Sequence, residues 1–324
     1  MSARASSFAL LLPLALTLAC APIEPSPDAG GGPSDAGGSL EDAGPPDTGY
    51  PAPRSDLVER VGSDTALDMA TWNIENFPAQ ASTPSLVADL VTSLDLDLVA
   101  VEEIADTEAF NELVARLPRH HGIYSSHTYS SGEYQKVGFL YREDLLTPSD
   151  VRLLFPGSGG PFPRPPLQAT FTLDDGVHAP VDLIVIALHL KAGRANEDAQ
   201  RRSEALVLLE SHVRDLVDGP ADDEVLILGD FNEVLDEAGG RAVFSPFLNA
   251  PQRYRVHTDA LAQQGAETFL PAQIMLDHIV TTVALDDEIA GRVPVIPRLD
   301  GQMAGYETLV SDHLPVVISL PVLQ

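Results

Sequence analysis

Short apolar segments alternate with amphipathic segments along the chain from about residue 64 onward. Residues 66–74, 96–104 and 181–190 form nearly continuous apolar runs, which indicate β-strands covered on both faces. The same reasoning predicts further strands, separated by turn residues, at 136–142, 152–155, 167–173, 224–230, 276–282 and 312–320. The sequence contains no internal repeat that would indicate a solenoid or a propeller.

Three segments between these strands have apolar residues at helical spacing. The first helix is predicted over 83–94, with Thr83 as its N-cap and Pro84 at the first helical position. The second is predicted over 106–117 and the third, a long one, over Asn196–Val217. Many strands with helices between them predict an α/β or α+β sandwich of two sheets, although periodicity does not give the strand order.

The first 63 residues have a different composition from the rest. Residues 1–20 contain Arg4, an apolar run too short to span a bilayer comfortably, and Cys20, the only cysteine of the chain. This segment is similar to a bacterial lipoprotein signal that is cleaved before a lipidated cysteine, and an ordinary signal peptide is the alternative. Residues 21–63 are rich in Pro, Gly and Asp, and we expect a disordered linker that reaches up to roughly 100 Å from an anchor. A single folded domain is predicted from residue 64 to residue 324.

The net charge of the 324-residue chain is -29, with a pI near 4.4. This charge argues against tight non-specific binding to nucleic acid, which depends on lysine and arginine displacing counterions. It does not exclude an enzyme that contacts a phosphodiester briefly through metal ions. The acidity also fits a soluble extracellular protein.

Polar side chains collect at the ends of the predicted strands, where a buried strand rarely carries so many ionisable groups without paired partners. These residues are Asn73, Glu75, Glu102, Glu103, His189, Asp230, Asn232, Asp277, His278, Asp312 and His313. Carboxylate and amide oxygens suit hard cations such as Mg²⁺ and Mn²⁺, and a histidine held by an acid can take a proton from water. The reaction that needs these groups together is metal-assisted hydrolysis of a phosphate ester.

Five segments, in order, resemble the endonuclease/exonuclease/phosphatase superfamily, which includes pancreatic-type deoxyribonucleases, abasic-site nucleases, sphingomyelinases and inositol-polyphosphate 5-phosphatases. The segments are "WNIEN", "VEEI", "HLKAG", "GDFN" and "SDHLPV". The resemblance runs from about Leu67 to Leu320. It implies a deoxyribonuclease-like four-layer sandwich, in which two packed mixed β-sheets are flanked by helices.

The resemblance also implies roles for individual residues. Glu103 matches the metal-binding acid, with Asn73 and Asp312 on the metal side. His313 matches the catalytic histidine, generally drawn as the base, and Asp277 the acid that orients it. The three remaining roles are activation of water by Asp230, phosphate binding by Asn232, and phosphate contact with protonation of the leaving oxygen by His189. Glu102 receives no role, and His278 is interpreted as structural or exposed.

One departure concerns Gln135, which stands where the deoxyribonuclease branch has a glutamate that supports the second histidine. We expect a neutral amide there to hold His189 but to raise its pKa less than a carboxylate does. This substitution weakens the case for His189 as a catalytic acid.

The main hypothesis is an exported, metal-dependent endonuclease that acts on DNA with Mg²⁺ or Mn²⁺, and with Ca²⁺ as a further candidate. The protein is expected to be a monomer, either secreted or anchored through Cys20 to a bacterial membrane. The first alternative is a phosphodiesterase or phosphatase that acts on lipid headgroups or inositol phosphates. The second alternative is a binding lipoprotein that has lost catalysis.

Overall fold

Eleven strands form two β-sheets in the part of the chain that the structure, a computed structural model, describes: residues 49–219, 223–289 and 291–321. One sheet has the strand order β11-β1-β2-β4-β3, and the other has the order β5-β6-β7-β8-β10-β9. The strands are β1 Leu67–Phe77, β2 Leu98–Ile104, β3 His120–Tyr124, β4 Lys136–Arg142, β5 Leu146–Leu153, β6 Leu167–Leu173, β7 Val181–His189, β8 Val225–Asp230, β9 Tyr254–Val256, β10 Asp277–Thr282 and β11 Val316–Leu320.

Helices flank the two sheets. They are α1 Thr83–Leu94, α2 Thr107–Arg116, α3 Asn196–Val217, α4 Ala238–Val243, α5 Ser245–Leu248, α6 Asp259–Gln263, α7 Asp286–Ile289, α8 Leu299–Gln302 and α9 Tyr306–Leu309, with a 3-10 helix at Val283–Leu285. The predicted architecture of two packed mixed sheets flanked by helices is confirmed.

Alternation along β1 divides its side chains between two apolar cores. Leu67 and Met69 belong to the core that contains residues of both sheets and of α3. Ala70, Trp72 and Ile74 belong to the core that also contains residues of α1 and α2. Because successive strand residues point to opposite faces, Thr71 and Asn73 share the first face and are directed between the sheets.

Strand direction brings the polar strand ends to one edge of the sandwich. The strands β1 and β2 run parallel, as do β7 and β8, so the carboxyl ends of each pair lie together. The strand β10 runs antiparallel to β8, and β11 antiparallel to β1. The beginnings of β10 and β11 therefore reach the same edge as the ends of β1, β2, β7 and β8.

Several local predictions differ from the structure. The strands β3 and β9 were not predicted, because β3 is a mostly half-exposed edge strand and β9 has only three residues. The predicted strand at 152–155 is β5, which starts at Leu146 and pairs with β6. The predicted last strand began at 312, but β11 starts at Val316, and Asp312 and His313 lie in the loop before it.

The end of the predicted linker packs on the domain. The backbone N–H of Arg54 donates to Asp89 at 2.8 Å, and the N–H of Leu57 donates to Ser93 at 3.0 Å. Val58 is buried. Residues 54–58 therefore pack on the domain, and for them the prediction of a disordered segment up to residue 63 is wrong. Sequence composition alone does not indicate these contacts with α1.

The predicted signal segment 1–20, with Cys20, and the predicted linker as far as residue 48 lie outside the described residues. In the described part of the chain, no helix is both long enough and apolar enough to cross a bilayer.

Candidate active site

The sheet register aligns three of the predicted site residues side by side. His189 at the end of β7 pairs with Asp230 at the end of β8, and Asp230 pairs with Asp277 at the start of β10. The amide Nδ2 of Asn73 donates to Oδ2 of Asp230 at 3.1 Å and so connects the two sheets. Residues from both sheets thus meet in one place.

His313 and Asp277 form a buried pair across the sandwich. The Nδ1 atom of His313 lies 2.8 Å from Oδ2 of Asp277, which is fully buried. Burial alone would lower the pKa of His313, but Asp277 and other nearby carboxylates outweigh it and raise the pKa to about 10. The pair is suited to hold a proton, with Nε2 of the ring free of Asp277.

The backbone of His313 is fixed on both sides by residues that touch β1. Its N–H donates to Oγ of Ser311 at 2.9 Å, and that hydroxyl donates to the carbonyl of Asn73 at 2.7 Å. Its carbonyl accepts from the hydroxyl of Tyr306 at 2.5 Å and from Nε1 of Trp72 at 3.3 Å. The histidine is therefore positioned relative to the strand that carries Asn73.

Three carboxylates form a second group at the mouth of the site: Glu75, Glu103 and Asp312. The N–H of Asp312 donates to Oε2 of Glu75 at 3.0 Å. Burial raises the pKa of Asp312 to about 6, with Glu75 and Glu103 acting in the same direction and His313 opposing them. Such clustering of like charges is relieved when a cation binds.

Four residues of the site have left-handed backbone conformations, with φ values of 42° at Glu75, 41° at Asn76, 64° at Glu103 and 52° at Asn232. Glutamate rarely adopts this conformation, which costs about 1–3 kcal/mol when the surrounding structure enforces it. The register between β1 and β2 also shifts between Asn73 and Phe77. Because of these irregularities, the side chains of Glu75 and Glu103 do not follow the alternation between the two faces of the sheet.

Asp230 and Asn232 form the turn after β8. The N–H of Asn232 donates to Oδ1 of Asp230 at 2.8 Å, and its Nδ2 donates to the carbonyl of Leu190 at 3.3 Å. Burial and the neighbouring Asp277 raise the pKa of Asp230 to about 7. The half-buried Asn232 amide lies beside this carboxyl, at the cleft.

His189 is buried, with Nε2 3.4 Å from Oδ2 of Asp230 and 3.8 Å from Oε1 of Glu103. Burial, reinforced by Arg164 and His313, holds the pKa of His189 well below its usual value. The neutral imidazole is therefore favoured, which weakens the case for a proton-donating role.

The expectation that Gln135 holds His189 is wrong. The amide of Gln135 donates to Oδ1 of Asn76 at 2.7 Å and accepts from Nη1 of Arg164 at 2.8 Å. Arg164 instead binds the backbone at His189, through Nε to the His189 carbonyl at 3.2 Å and through Nη2 to the Leu190 carbonyl at 2.7 Å. Among the described residues, Nδ1 of His189 has no hydrogen-bond partner.

The two residues left without a catalytic role are both buried. Glu102 accepts from Thr71 at 3.1 Å, and its burial, with Asp277 and Asp230 nearby, holds its pKa well above the usual value. His278 faces away from the site, and its Nε2 donates to the carbonyl of Glu233 at 2.9 Å. The structural interpretation of His278 is thus the one that its contacts support.

The eight residues predicted for the site lie together. Six of them line a cleft of about 650 Å³: Glu103, His189, Asp230, Asn232, Asp312 and His313. Asn73 and Asp277 lie behind the cleft and contact Asp230 and His313. Arg164, Ser311, Trp72 and Tyr306 were not predicted, since each binds a backbone atom of another residue and no motif marks such contacts.

The donor set fits a divalent cation. Glu75, Glu103 and Asp312 offer oxygen ligands at the cleft, and a bound cation would offset the repulsion among these carboxylates. A separate, buried group has its ligand atoms within 4.8 Å of one another and consists of Asp230, Asp277 and His313.

The predicted ligand Asn73 is engaged differently, because its Oδ1 accepts from the N–H of Glu75 at 3.0 Å and its Nδ2 binds Asp230.

Solved structures resemble this fold at low sequence identity. A D. rerio TDP2 structure complexed with a single-strand DNA product has a TM-score of 0.57 and 15% identity, covering 79% of this chain and 99% of that one. A mannosyl-6-phosphatase from Bacteroides thetaiotaomicron has a TM-score of 0.57 and 16% identity, covering 78% and 98%. An endonuclease/exonuclease/phosphatase from Bacteroides vulgatus has a TM-score of 0.56 and 19% identity, covering 79% and 99%.

No curated protein sequence matches the chain. The family model described as Endonuclease/Exonuclease/phosphatase family matches residues 70–313, a span that begins in β1 and ends at His313. The members of this family are phosphoesterases that use divalent metals. The matched span and the geometry of the strand ends agree, and the chain belongs to the endonuclease/exonuclease/phosphatase family of hydrolases.

Proposed function

We propose that the protein is an exported phosphodiesterase that depends on Mg²⁺ or Mn²⁺ and cleaves DNA as an endonuclease. The observation that supports this most strongly is the pairing of His313 with Asp277 at 2.8 Å, beside the carboxylates of one cleft. An oriented imidazole and a group of metal-binding oxygens are the two elements that hydrolysis of a phosphate ester requires.

The position of each side chain in the cleft indicates its role in the proposed hydrolysis. His313 accepts the proton of the attacking water at Nε2, and Asp277 stabilises the imidazolium that results. Asp230 orients that water, while the Asn232 amide donates to a non-bridging oxygen as negative charge develops there. A cation held by Glu103, Asp312 and Glu75 would polarise the phosphoryl group and lower the pKa of a bound water.

A direct test uses purified protein and supercoiled plasmid DNA with Mg²⁺, Mn²⁺ or Ca²⁺. We expect nicking that EDTA stops and that His313→Ala reduces by several orders of magnitude, roughly 10³-fold or more. His121→Ala, at an exposed histidine outside the cleft, is the matched control and should retain activity. Intact plasmid under all three cations would refute the nuclease assignment.

A second candidate function is hydrolysis of small phosphate esters, such as inositol phosphates or lipid headgroups. The cleft favours it in one respect, because the exposed Glu237 adds to the acidic residues along its walls. A long DNA strand would meet repulsion there. Release of phosphate or phosphocholine from a substrate panel, without nicking of DNA, would select this candidate.

We also propose export and lipid attachment at Cys20, on the basis of the signal-like segment before it. Mass spectrometry of the protein expressed in a Gram-negative host tests the proposal. We expect an N-terminal diacylglyceryl-cysteine in the wild type and its loss in Cys20→Ala. An unprocessed N-terminus would contradict the proposal without affecting the enzymatic one.

A further inference from the structure

Nearly all the positively charged side chains around the cleft bind other groups of the protein. Arg202 is buried and pairs with Glu233 at 2.8 Å. Lys191 pairs with Asp198 at 3.1 Å, and Arg164 is committed to Gln135 and to two carbonyls. Arg194 is exposed on the cleft wall and, among the described residues, has neither an ion-pair nor a side-chain hydrogen-bond partner.

The loop that carries Arg194 is held in place on both sides. Nη1 of Arg202 donates to the carbonyls of Lys191 and Gly193, each at 2.8 Å. On the other side, the N–H of Ala195 donates to Asp198 at 3.3 Å. The guanidinium of Arg194 therefore projects from a backbone that is fixed relative to the end of β7 and the start of α3.

The cleft is mainly acidic, so an arginine without an acidic partner there is available to bind an anionic group of the substrate. Most of the ionisable residues along the cleft are acids, which attract cations and repel phosphate. Divalent cations would offset this repulsion at the scissile phosphate only. A further anionic group on the substrate needs its own partner, and a guanidinium binds phosphate oxygens in a bidentate manner.

We propose that Arg194 is a substrate-binding residue that contacts a second, non-scissile phosphate. This inference rests on the proposed function and narrows its substrate class to molecules that carry at least two phosphates. The second phosphate comes either from a neighbouring nucleotide of a DNA strand or from another position of a multiply phosphorylated small molecule. A substrate with a single phosphate leaves Arg194 unused.

Two chromogenic probes test the proposal: the p-nitrophenyl ester of thymidine 5′-phosphate, with and without a further phosphate on the 3′-oxygen. With Mn²⁺, we expect the wild type to favour the doubly phosphorylated probe in kcat/KM by roughly tenfold. Arg194→Ala should reduce this ratio to near one, and Arg194→Lys should give an intermediate ratio. Arg292→Ala, at an exposed arginine outside the cleft, should keep the wild-type ratio.

Two further comparisons distinguish the two possible sources of the second phosphate, a DNA strand and a small molecule. For a DNA strand, the slope of log kcat/KM against log salt should become shallower by about one in Arg194→Ala. For a small molecule, the wild type should release phosphate faster from inositol 1,4,5-trisphosphate than from inositol 1-phosphate, and only the arginine variant should lose that preference.

The outcomes distinguish this inference from the proposed function. A wild-type ratio near one, or an Arg194→Ala ratio equal to that of the wild type, overturns the role of Arg194 while hydrolysis stands. If neither probe is hydrolysed, the plasmid assay decides the proposed function, and calorimetry with thymidine 3′,5′-bisphosphate and Mn²⁺ decides the inference. Weaker binding by Arg194→Ala than by Arg292→Ala then supports it, and equal binding overturns it.

Discussion

The pairing of His313 with Asp277 predicts how activity depends on pH. The pKa of His313 is raised, so the neutral imidazole that accepts a proton becomes more populated as the pH rises. We expect the hydrolysis rate to increase from about pH 7 to about pH 9. Asp277→Asn removes a carboxylate that raises this pKa, so the increase should move to lower pH while the maximal rate falls.

The measurement is a pH–rate profile of both proteins at saturating Mn²⁺. Asp259→Asn, which alters an aspartate that pairs with Arg241 outside the cleft, should leave the profile unchanged. An unshifted profile in Asp277→Asn would show that this aspartate does not control the proton of His313.

Tyr306 provides a prediction about positioning rather than chemistry. Its hydroxyl donates to the His313 carbonyl at 2.5 Å and accepts from Nε1 of Trp72 at 3.1 Å, so Tyr306→Phe frees the backbone of the histidine. We expect kcat to fall by roughly tenfold, which corresponds to about 1.4 kcal/mol, with little change in KM. Steady-state kinetics measure both constants.

The matched control for this substitution is Tyr141→Phe, which also removes a hydroxyl from a buried tyrosine but lies away from the cleft. A proportional rise in KM in Tyr306→Phe, with kcat intact, would mean that the hydroxyl affects substrate binding instead.

The sequence was most informative about residues that act through their own side chains. Asp230 and Asn232, for example, could be proposed because acids and amides are unusual at the end of an apolar strand. Arg164 could not be identified, because it binds backbone carbonyls that come close to it only in the folded chain. Tyr306 could not be identified either, because no motif marks its bond to the His313 carbonyl. The left-handed backbone at Glu103 was equally hidden, since glutamate gives no local signal for that conformation.

At the scale of elements, the parallel pair of β7 and β8 depends on Gly229. A Cβ atom at this position would lie 2.1 Å from the carbonyl oxygen of Leu188, so Gly229→Ala forces the two strands apart. We expect a loss of roughly 1–3 kcal/mol or more in the free energy of unfolding. Urea denaturation measures this loss.

Gly157→Ala is the control, because nothing lies within 4 Å of a Cβ atom built there and the residue lies outside the cleft. A Gly229→Ala variant as stable as the control would contradict the close approach of β7 and β8.

Strand and helix prediction succeeded where elements are long and buried. The helix over Asn196–Val217 has the predicted bounds, as its repeated apolar face and its length made a clear pattern. The short helices α4 to α9 have four to six residues each, too few for helical periodicity to appear. The strand order also required the structure, because periodicity identifies strands without their partners.

At the scale of the whole molecule, buried neutral histidines predict loss of stability in acid. Burial lowers the pKa of His278 to about 4, while its unfolded value is about 6.5. The unfolded chain therefore binds a proton that the folded chain does not, and stability falls as the pH drops from about 6.5 towards about 4. Protonation linked to His278 alone lowers the free energy of unfolding by about 3 kcal/mol over this pH range.

Carboxyl groups with raised pKa values, such as Asp97, act in the opposite direction, so the test compares slopes. We expect the unfolding free energy of the wild type to fall more steeply with acid than that of His278→Gln, whose amide can bond both Glu233 and Thr258. His121→Gln, at an exposed site, should keep the wild-type slope. Equal slopes in all three proteins would contradict a neutral His278.

The proposed mechanism depends on a cation held by the carboxylates at the shared strand edge. Its most direct test is the initial rate of hydrolysis of bis(p-nitrophenyl) phosphate as a function of Mn²⁺ concentration, for the wild type and for Glu103→Gln. We predict a saturable rise from a negligible metal-free rate, and a half-saturating concentration that is roughly 10–100-fold higher in the variant. A rate that does not respond to Mn²⁺, or identical curves for the two proteins, would contradict a cation site at Glu103.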